Sequence, residues 1–122
     1  MLKHDFILVV DDDDDIRESL SGLLEDEGHK VVSVTNGQEA LDTIRSEGPP
    51  CVILLDLMMP VMDGAEFRKL QLADAQLANI PVVLITAAGQ AMAKSVSSNR
   101  VLPKPLKADA LFEAVDTYCV HP

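Results

Sequence analysis

The chain has 122 residues, 48% of them hydrophobic and 25% charged, which suits one soluble globular domain with a core of its own. Ten basic residues against twenty acidic ones give a net charge of −10, which argues against direct binding of nucleic acid or an anionic membrane through charge. No apolar stretch approaches the roughly 20 residues needed to span a bilayer, and the N-terminus turns acidic too early for a signal peptide, so a cytoplasmic location is expected.

With no Trp, one Tyr and three Phe, the core must be aliphatic. Phe6 to Val10 is a continuous apolar run of strand length, followed at once by five consecutive aspartates, Asp11 to Asp15. Such a run read alone is a set of solvated acids or a helix start; its place at a strand end makes that reading incomplete. From Asp15 to Glu27 the spacing puts Ile16, Leu20, Leu23 and Leu24 on one helical face, with Gly28 as the C-terminal stop. Val31 to Thr35 reads as a second strand. Asn36 is the expected cap of the next helix, with Glu39 three residues on and Ala40, Leu41 and Ile44 facing inward.

Gly48-Pro49-Pro50 breaks that helix, and Cys51 to Leu55 is a third strand without polar alternation. A helix over 65–73 follows, with Phe67 and Leu70 expected inward. Ile80 to Ile85 is a fourth strand, its Pro81 tolerated at the start. A short helix over 90–96, a fifth strand over 100–102 and a closing helix carrying Leu111, Phe112, Val115 and Cys119 complete the chain. Cys51 and Cys119 have no metal-ligand spacing and are expected to be reduced. His4, His29 and His121 are expected at the surface.

Strands without polar alternation are buried on both faces, as parallel strands between helices must be. The expected fold is therefore α/β, a flavodoxin-like doubly wound sheet of five parallel strands in the order 2-1-3-4-5 with five helices. It forms one domain over 1–122, with its core at about 5–120 and a fourth helix that is short or mobile.

In such sheets chemistry gathers at the carboxyl ends of the strands. Those ends carry Asp11 and Asp12 after the first strand, Asp56 after the third, Thr86 at the fourth and Lys104 after the fifth. Three adjacent carboxylates repel one another and call for a cation. An all-oxygen set suits Mg²⁺ or Mn²⁺. A lysine between Pro103 and Pro105 is rigidly presented and offers a point charge to a phosphoryl oxygen, and Thr86 offers a hydrogen bond. The set suits in-line phosphoryl transfer to a carboxylate.

The segments FILVVDDDDDIRESL, VILLDLMMPVMDG, IPVVLITA and VLPKPL, in this order, resemble the response-regulator receiver family of two-component signalling along nearly the whole chain. The resemblance implies that Asp56 accepts a phosphoryl group from a phosphohistidine on a sensor histidine kinase or a histidine phosphotransfer domain. Asp12 then ligates Mg²⁺ directly, Asp11 acts through water, and the backbone carbonyl of Met58 is a third ligand. Thr86 and Lys104 contact phosphoryl oxygens, while Pro60 and Gly64 shape the loop after the third strand. Such a domain is no turnover enzyme; it catalyses only its own phosphorylation and dephosphorylation. Receivers usually carry an aromatic residue three positions before the lysine, where this chain has Val101, so the switch region of Thr86, Ala87 and Val101 departs from the pattern. The output partner stays unidentified, a homodimer is compatible with the family, and the chain is either a single-domain regulator or one cut from a larger protein.

Two other readings compete. An aspartyl-phosphate phosphatase would need an acid two residues after the nucleophile, where Met58 stands. A phosphorylation-independent interaction module on the same scaffold would bind its partner equally well without Asp56.

Overall fold

The computed structural model describes residues 6–57, 62–87 and 98–119. Five strands, β1 (Phe6–Val10), β2 (Lys30–Val34), β3 (Val52–Asp56), β4 (Val82–Thr86) and β5 (Arg100–Pro103), form one parallel sheet in the order β2-β1-β3-β4-β5. Four helices are described: α1 (Asp14–Asp26), α2 (Gly37–Glu47), α3 (Gly64–Ala73) and α4 (Ala108–Tyr118). The helix expected over 90–96 lies outside the described residues, as do His4, His121, Met58 and Pro60.

Side chains alternate across a strand, and here both faces are covered. Phe6, Leu8 and Val10 of β1 join Ile53 and Leu55 of β3 and Val82 and Leu84 of β4 in a core under α2 and α3. Ile7 and Val9 join Val52, Leu54, Val83 and Ile85 in a second core under α1 and α4. This is the physical reason for the unbroken apolar runs. The register Val10↔Val34, Val10↔Leu55, Asp56↔Ile85 and Thr86↔Pro103 aligns the carboxyl ends of all five strands.

Local chemistry starts and stops the helices. Asp13, Asn36 and Asp63 each accept a hydrogen bond from the backbone N–H three residues on, capping α1, α2 and α3. Glu39 closes the box on α2 by accepting from both the N–H and the hydroxyl of Thr35 at 2.7 Å. Gly28 and Gly48 end α1 and α2 at φ 92° and 90°, a backbone region that favours glycine.

Four expectations need correction. Leu70 is 46% exposed because the buried face of α3 is Gly64, Phe67, Arg68 and Gln71, a 3.6-residue stripe that leaves Leu70 off its edge. Gln71 donates to the carbonyls of Leu77 and Ile80, each at 2.9 Å, and accepts from Arg68 at 2.8 Å. These buried hydrogen bonds hold the turn after α3 together with the packing of Leu77 and Ile80 in the core, and burial pushes the Arg68 pKa below its ordinary value. Leu23 is 38% exposed; it lines a groove of about 350 Å³ between α1 and α4 with Leu106 and Leu111. His29 is buried, its Nε2 4.0 Å from Asp116 of α4, since it follows the glycine turn directly under that helix. Cys51 and Cys119 are joined in a disulfide because the start of β3 and the end of α4 meet at the same edge of the sheet.

Candidate functional site

The backbone brings the expected side chains together at the carboxyl edge of the sheet. The chain leaves β1 for β2 on one side and returns at β3 on the other, so the ends of β1 and β3 flank the point where strand order reverses. Asp11 continues the β1 register by one step, its N–H donating to the Val34 carbonyl at 3.2 Å. Its side chain accepts from the Asp13 N–H at 2.9 Å, an Asx turn that reverses the chain into α1. Asp11 is buried and Asp12, at the tip of this turn, is exposed. Asp56 is the last residue of β3 and is buried.

Thr86 ends β4, buried beside Asp56, and its carbonyl accepts the backbone N–H of Lys104 at 3.0 Å. That bond extends the β4–β5 ladder by one residue and fixes the base of the lysine side chain. Its Nζ then lies 3.4 Å from Asp11 Oδ2 and 3.6 Å from Asp56 Oδ1. One carboxylate oxygen from each of Asp11, Asp12 and Asp56 lies within 4.8 Å of the other two. One ammonium cannot balance three carboxylates. A compact all-oxygen set, open to solvent at Asp12, fits a small hard dication that keeps several waters. Asp11, Asp12, Asp56, Thr86 and Lys104 are thus adjacent, as expected; the Met58 carbonyl lies outside the described residues. Ala87 and Val101 are both exposed.

Two contributors were not expected from the sequence in the form they take. Arg17 donates from Nη1 to the Asp11 carbonyl at 2.9 Å and pairs with Asp14 through Nη2. A positive charge in the first turn of α1, against the helix dipole, is the signal that marks it. The Thr35 hydroxyl and N–H, helped by the charge of Arg17, hold the nearby Glu39 carboxyl below the usual carboxylate range. Gly64 acts through space rather than backbone freedom. A Cβ there would lie 2.6 Å from the Asp56 carbonyl oxygen and 2.8 Å from Leu57 Cα, so only glycine lets α3 start directly beneath Asp56. A side chain at Gly37 would likewise meet Met62 at 2.9 Å, where the Gly37 N–H donates to the Met62 carbonyl.

The profile of the family described as "Response regulator receiver domain" matches residues 7–116. The sporulation initiation phosphotransferase F of Bacillus subtilis is 32% identical over 122 residues, covering 96% of this chain and 95% of that protein. The CpxR homolog of Haemophilus influenzae is 37% identical over 103 residues, or 81% of this chain; the chain spans 43% of that relative and 47% of response regulator Rre1 of Synechocystis. Among solved structures, chemotaxis protein CheY4 of Vibrio cholerae superposes with a TM-score of 0.81 at 30% identity, covering 92% of this chain and 96% of that one. The receiver domain of a sensor histidine kinase from Pseudomonas aeruginosa, solved with a magnesium ion coordinated in its active-site cleft, superposes with a TM-score of 0.85 at 24% identity, over 93% and 96% of the two chains.

Proposed function

The chain belongs to the response regulator receiver domain family of two-component signalling, and from that membership we propose that Asp56 is its phosphoacceptor. The observation that carries this reading is the convergence of Asp11, Asp12 and Asp56 with the Lys104 ammonium 3.4 and 3.6 Å from two of them. Members of this family exchange phosphoryl groups with histidine kinases or phosphotransfer proteins, and the proposed donor is such a phosphohistidine in the cytoplasm. An Asp56 oxygen bonds to phosphorus as the P–N bond breaks, and the departing imidazole takes up a proton from solvent. Lys104 balances charge on the transferring oxygens, and the Thr86 hydroxyl donates to one of them.

Asp11, Asp12 and Asp56, with the Met58 carbonyl, are the residues proposed to hold Mg²⁺ or Mn²⁺, which when bound supplies charge neutralisation at the phosphoryl oxygens. Asp11 and Asp56 are buried and already oriented by backbone and by Lys104, so little reorganisation precedes transfer. Val101 offers no aromatic side chain to follow Thr86, and the proposed path of the switch is the Thr86–Ala87 turn itself. A second copy of the chain is a compatible partner.

Incubation with acetyl phosphate and MgCl₂, followed by intact mass measurement, tests the assignment. A single phosphoryl adduct is expected, lost in Asp56→Asn, in excess chelator and largely in Lys104→Ala. An equal adduct on Asp56→Asn refutes the acceptor. Unchanged partner binding by Asp56→Asn would favour the interaction-module reading instead.

A further inference from the structure

The disulfide between Cys51 and Cys119 lies at the edge of the sheet opposite Asp56. Cys51 immediately precedes β3 and Cys119 caps the C-terminus of α4; their Cα atoms are 5.4 Å apart and 68 positions separate them in sequence. The bond therefore ties the last helix to the central strand that carries the acceptor. Among the described helices, it reaches the one whose N-terminus has no side-chain cap. Lys107 makes no side-chain cap and the last turn of α4 holds no basic residue, whereas α1, α2 and α3 are each capped by a side chain. Among the described residues, polar ties of α4 to other elements include exposed Glu113 with Arg100 at 2.6 Å and half-exposed Asp116 with buried His29 at 4.0 Å.

The two sulfurs differ in access. Cys119 is buried in the α1–α4 core, while Cys51 is half-buried, so an incoming thiolate meets the Cys51 sulfur first. Disulfides in a thiol-rich cytoplasm are transient and redox-responsive rather than permanent.

We propose that Cys51 and Cys119 form a reversible thiol–disulfide site that sets how firmly α4 is held to the sheet. The inference rests on the cytoplasmic location proposed above and is independent of the chemistry at Asp56. In reduction, a glutathione thiolate attacks Cys51 Sγ, the bond to Cys119 breaks, and Cys119 departs as a thiolate that takes up a proton. A second glutathione thiolate attacks the glutathione sulfur of the mixed disulfide, releasing glutathione disulfide and Cys51 as a thiolate that takes up a proton from solvent. Two electrons and two protons pass to the protein. Oxidation by glutathione disulfide reverses both steps.

The full chain is equilibrated in a series of mixtures of reduced and oxidised glutathione, quenched with acid and an alkylating reagent, and weighed intact. The same samples are melted by far-UV circular dichroism and followed by hydrogen exchange over residues 108–119. The expected result is a change from no alkylated thiol to two within the series. Amides of the last turn of α4 then exchange about tenfold faster or more once reduced, and the melting point falls by on the order of 10 °C. The Cys51→Ser, Cys119→Ser double variant should match the reduced protein and ignore the redox buffer. If it does not fold, Cys51→Ala with Cys119→Ala serves the same purpose in the apolar surroundings of Cys119. Refusal of the bond to open in excess reduced glutathione refutes reversibility, even if the Asp56 adduct forms normally. Opening without any change in exchange or melting refutes the hold on α4, and so does a failure of the thiols to pair.

Discussion

Two glycine-to-alanine substitutions in equivalent chemistry should move this protein in opposite directions. Gly22 lies inside α1 with nothing within 4 Å of where a Cβ would sit, whereas a Cβ at Gly64 would stand 2.6 Å from the Asp56 carbonyl oxygen and 2.8 Å from Leu57 Cα, against an ordinary contact limit of 3.4 Å. Alanine is favoured over glycine in a helix interior by about 1 kcal/mol, through the lower backbone entropy it leaves in the unfolded chain. Gly22→Ala should therefore stabilise by up to that amount. At Gly64 the same gain is smaller, since the residue opens the helix, and it opposes an overlap of about 0.8 Å against backbone atoms that cannot rotate away. Overpacking of this kind costs roughly 1–3 kcal/mol, so the overlap wins and Gly64→Ala should destabilise by about 1–2 kcal/mol. For a chain of this size that is a fall of roughly 3–10 °C in Tm. Because the displaced atoms belong to Asp56 and Leu57, the adduct rate with acetyl phosphate should also drop tenfold or more, since misplacement of a reacting group by about 1 Å costs on the order of 10² in rate. Thermal melts by circular dichroism and timed intact mass spectra read both effects. A Gly64→Ala protein as stable and as reactive as the parent would refute the close approach beneath Asp56.

Arg17→Ala should slow adduct formation severalfold while shifting Tm by no more than a few degrees, because its pair with exposed Asp14 adds little stability but its bond to the Asp11 carbonyl orders the acidic turn; partial rescue by Arg17→Lys in the mass assay checks this. Gln71→Leu should cost about 2–5 kcal/mol in urea unfolding, since it removes the buried hydrogen bonds to the Leu77 and Ile80 carbonyls and the one from Arg68. Glu39 has a lowered pKa in the folded state, so its contribution is full above the unfolded carboxylate value and is lost as pH falls through the depressed one. Glu39→Gln should thus melt slightly lower than the parent at pH 7, by a few tenths of a kcal/mol for so exposed a group, and the gap should close in strong acid; a gap that widens on acidification would contradict the sign.

The sheet was legible because doubly covered strands leave an unambiguous mark: β1, β3 and β4 contain no polar residue before their final position, and that final position in β3 and β4 is Asp56 or Thr86. Periodicity and capping likewise announced α1 and α2. Polar residues that behave as core were not legible. Arg68 and Gln71 share the buried stripe of α3 with Phe67, yet a hydrophobicity pattern assigns that face to Leu70, because only the three-dimensional turn at 74–80 supplies the carbonyls that make a buried glutamine tolerable. The pairing of Cys51 with Cys119 was equally hidden. Their 68-position separation carries no signature, and the encounter follows only once α4 is laid back across the sheet to its amino-terminal edge.

The site itself follows from where charge can be held. Asp11 and Asp56 are buried at adjacent strand ends with Lys104 shared between them. At 3.4 and 3.6 Å the ammonium is farther from either carboxylate than the roughly 2.7–2.9 Å of a tight charged hydrogen bond. Its hydrogen bond to Asp11 is long, so the lysine is held loosely between the two acids. Its compact charge and flexible stem can turn to a third anionic oxygen without surrendering a bidentate fork, which an arginine in the same place would have to break. The backbone bond from the Lys104 N–H to the Thr86 carbonyl keeps the base of that stem stationary while its tip moves. In the proposed reaction, then, the lysine steadies the acids before transfer and shifts to the phosphoryl group afterwards, which leaves buried Asp11 to the proposed dication. The same carbonyl belongs to the residue whose hydroxyl is proposed to meet that group, so Thr86 and Lys104 would respond to phosphorylation together.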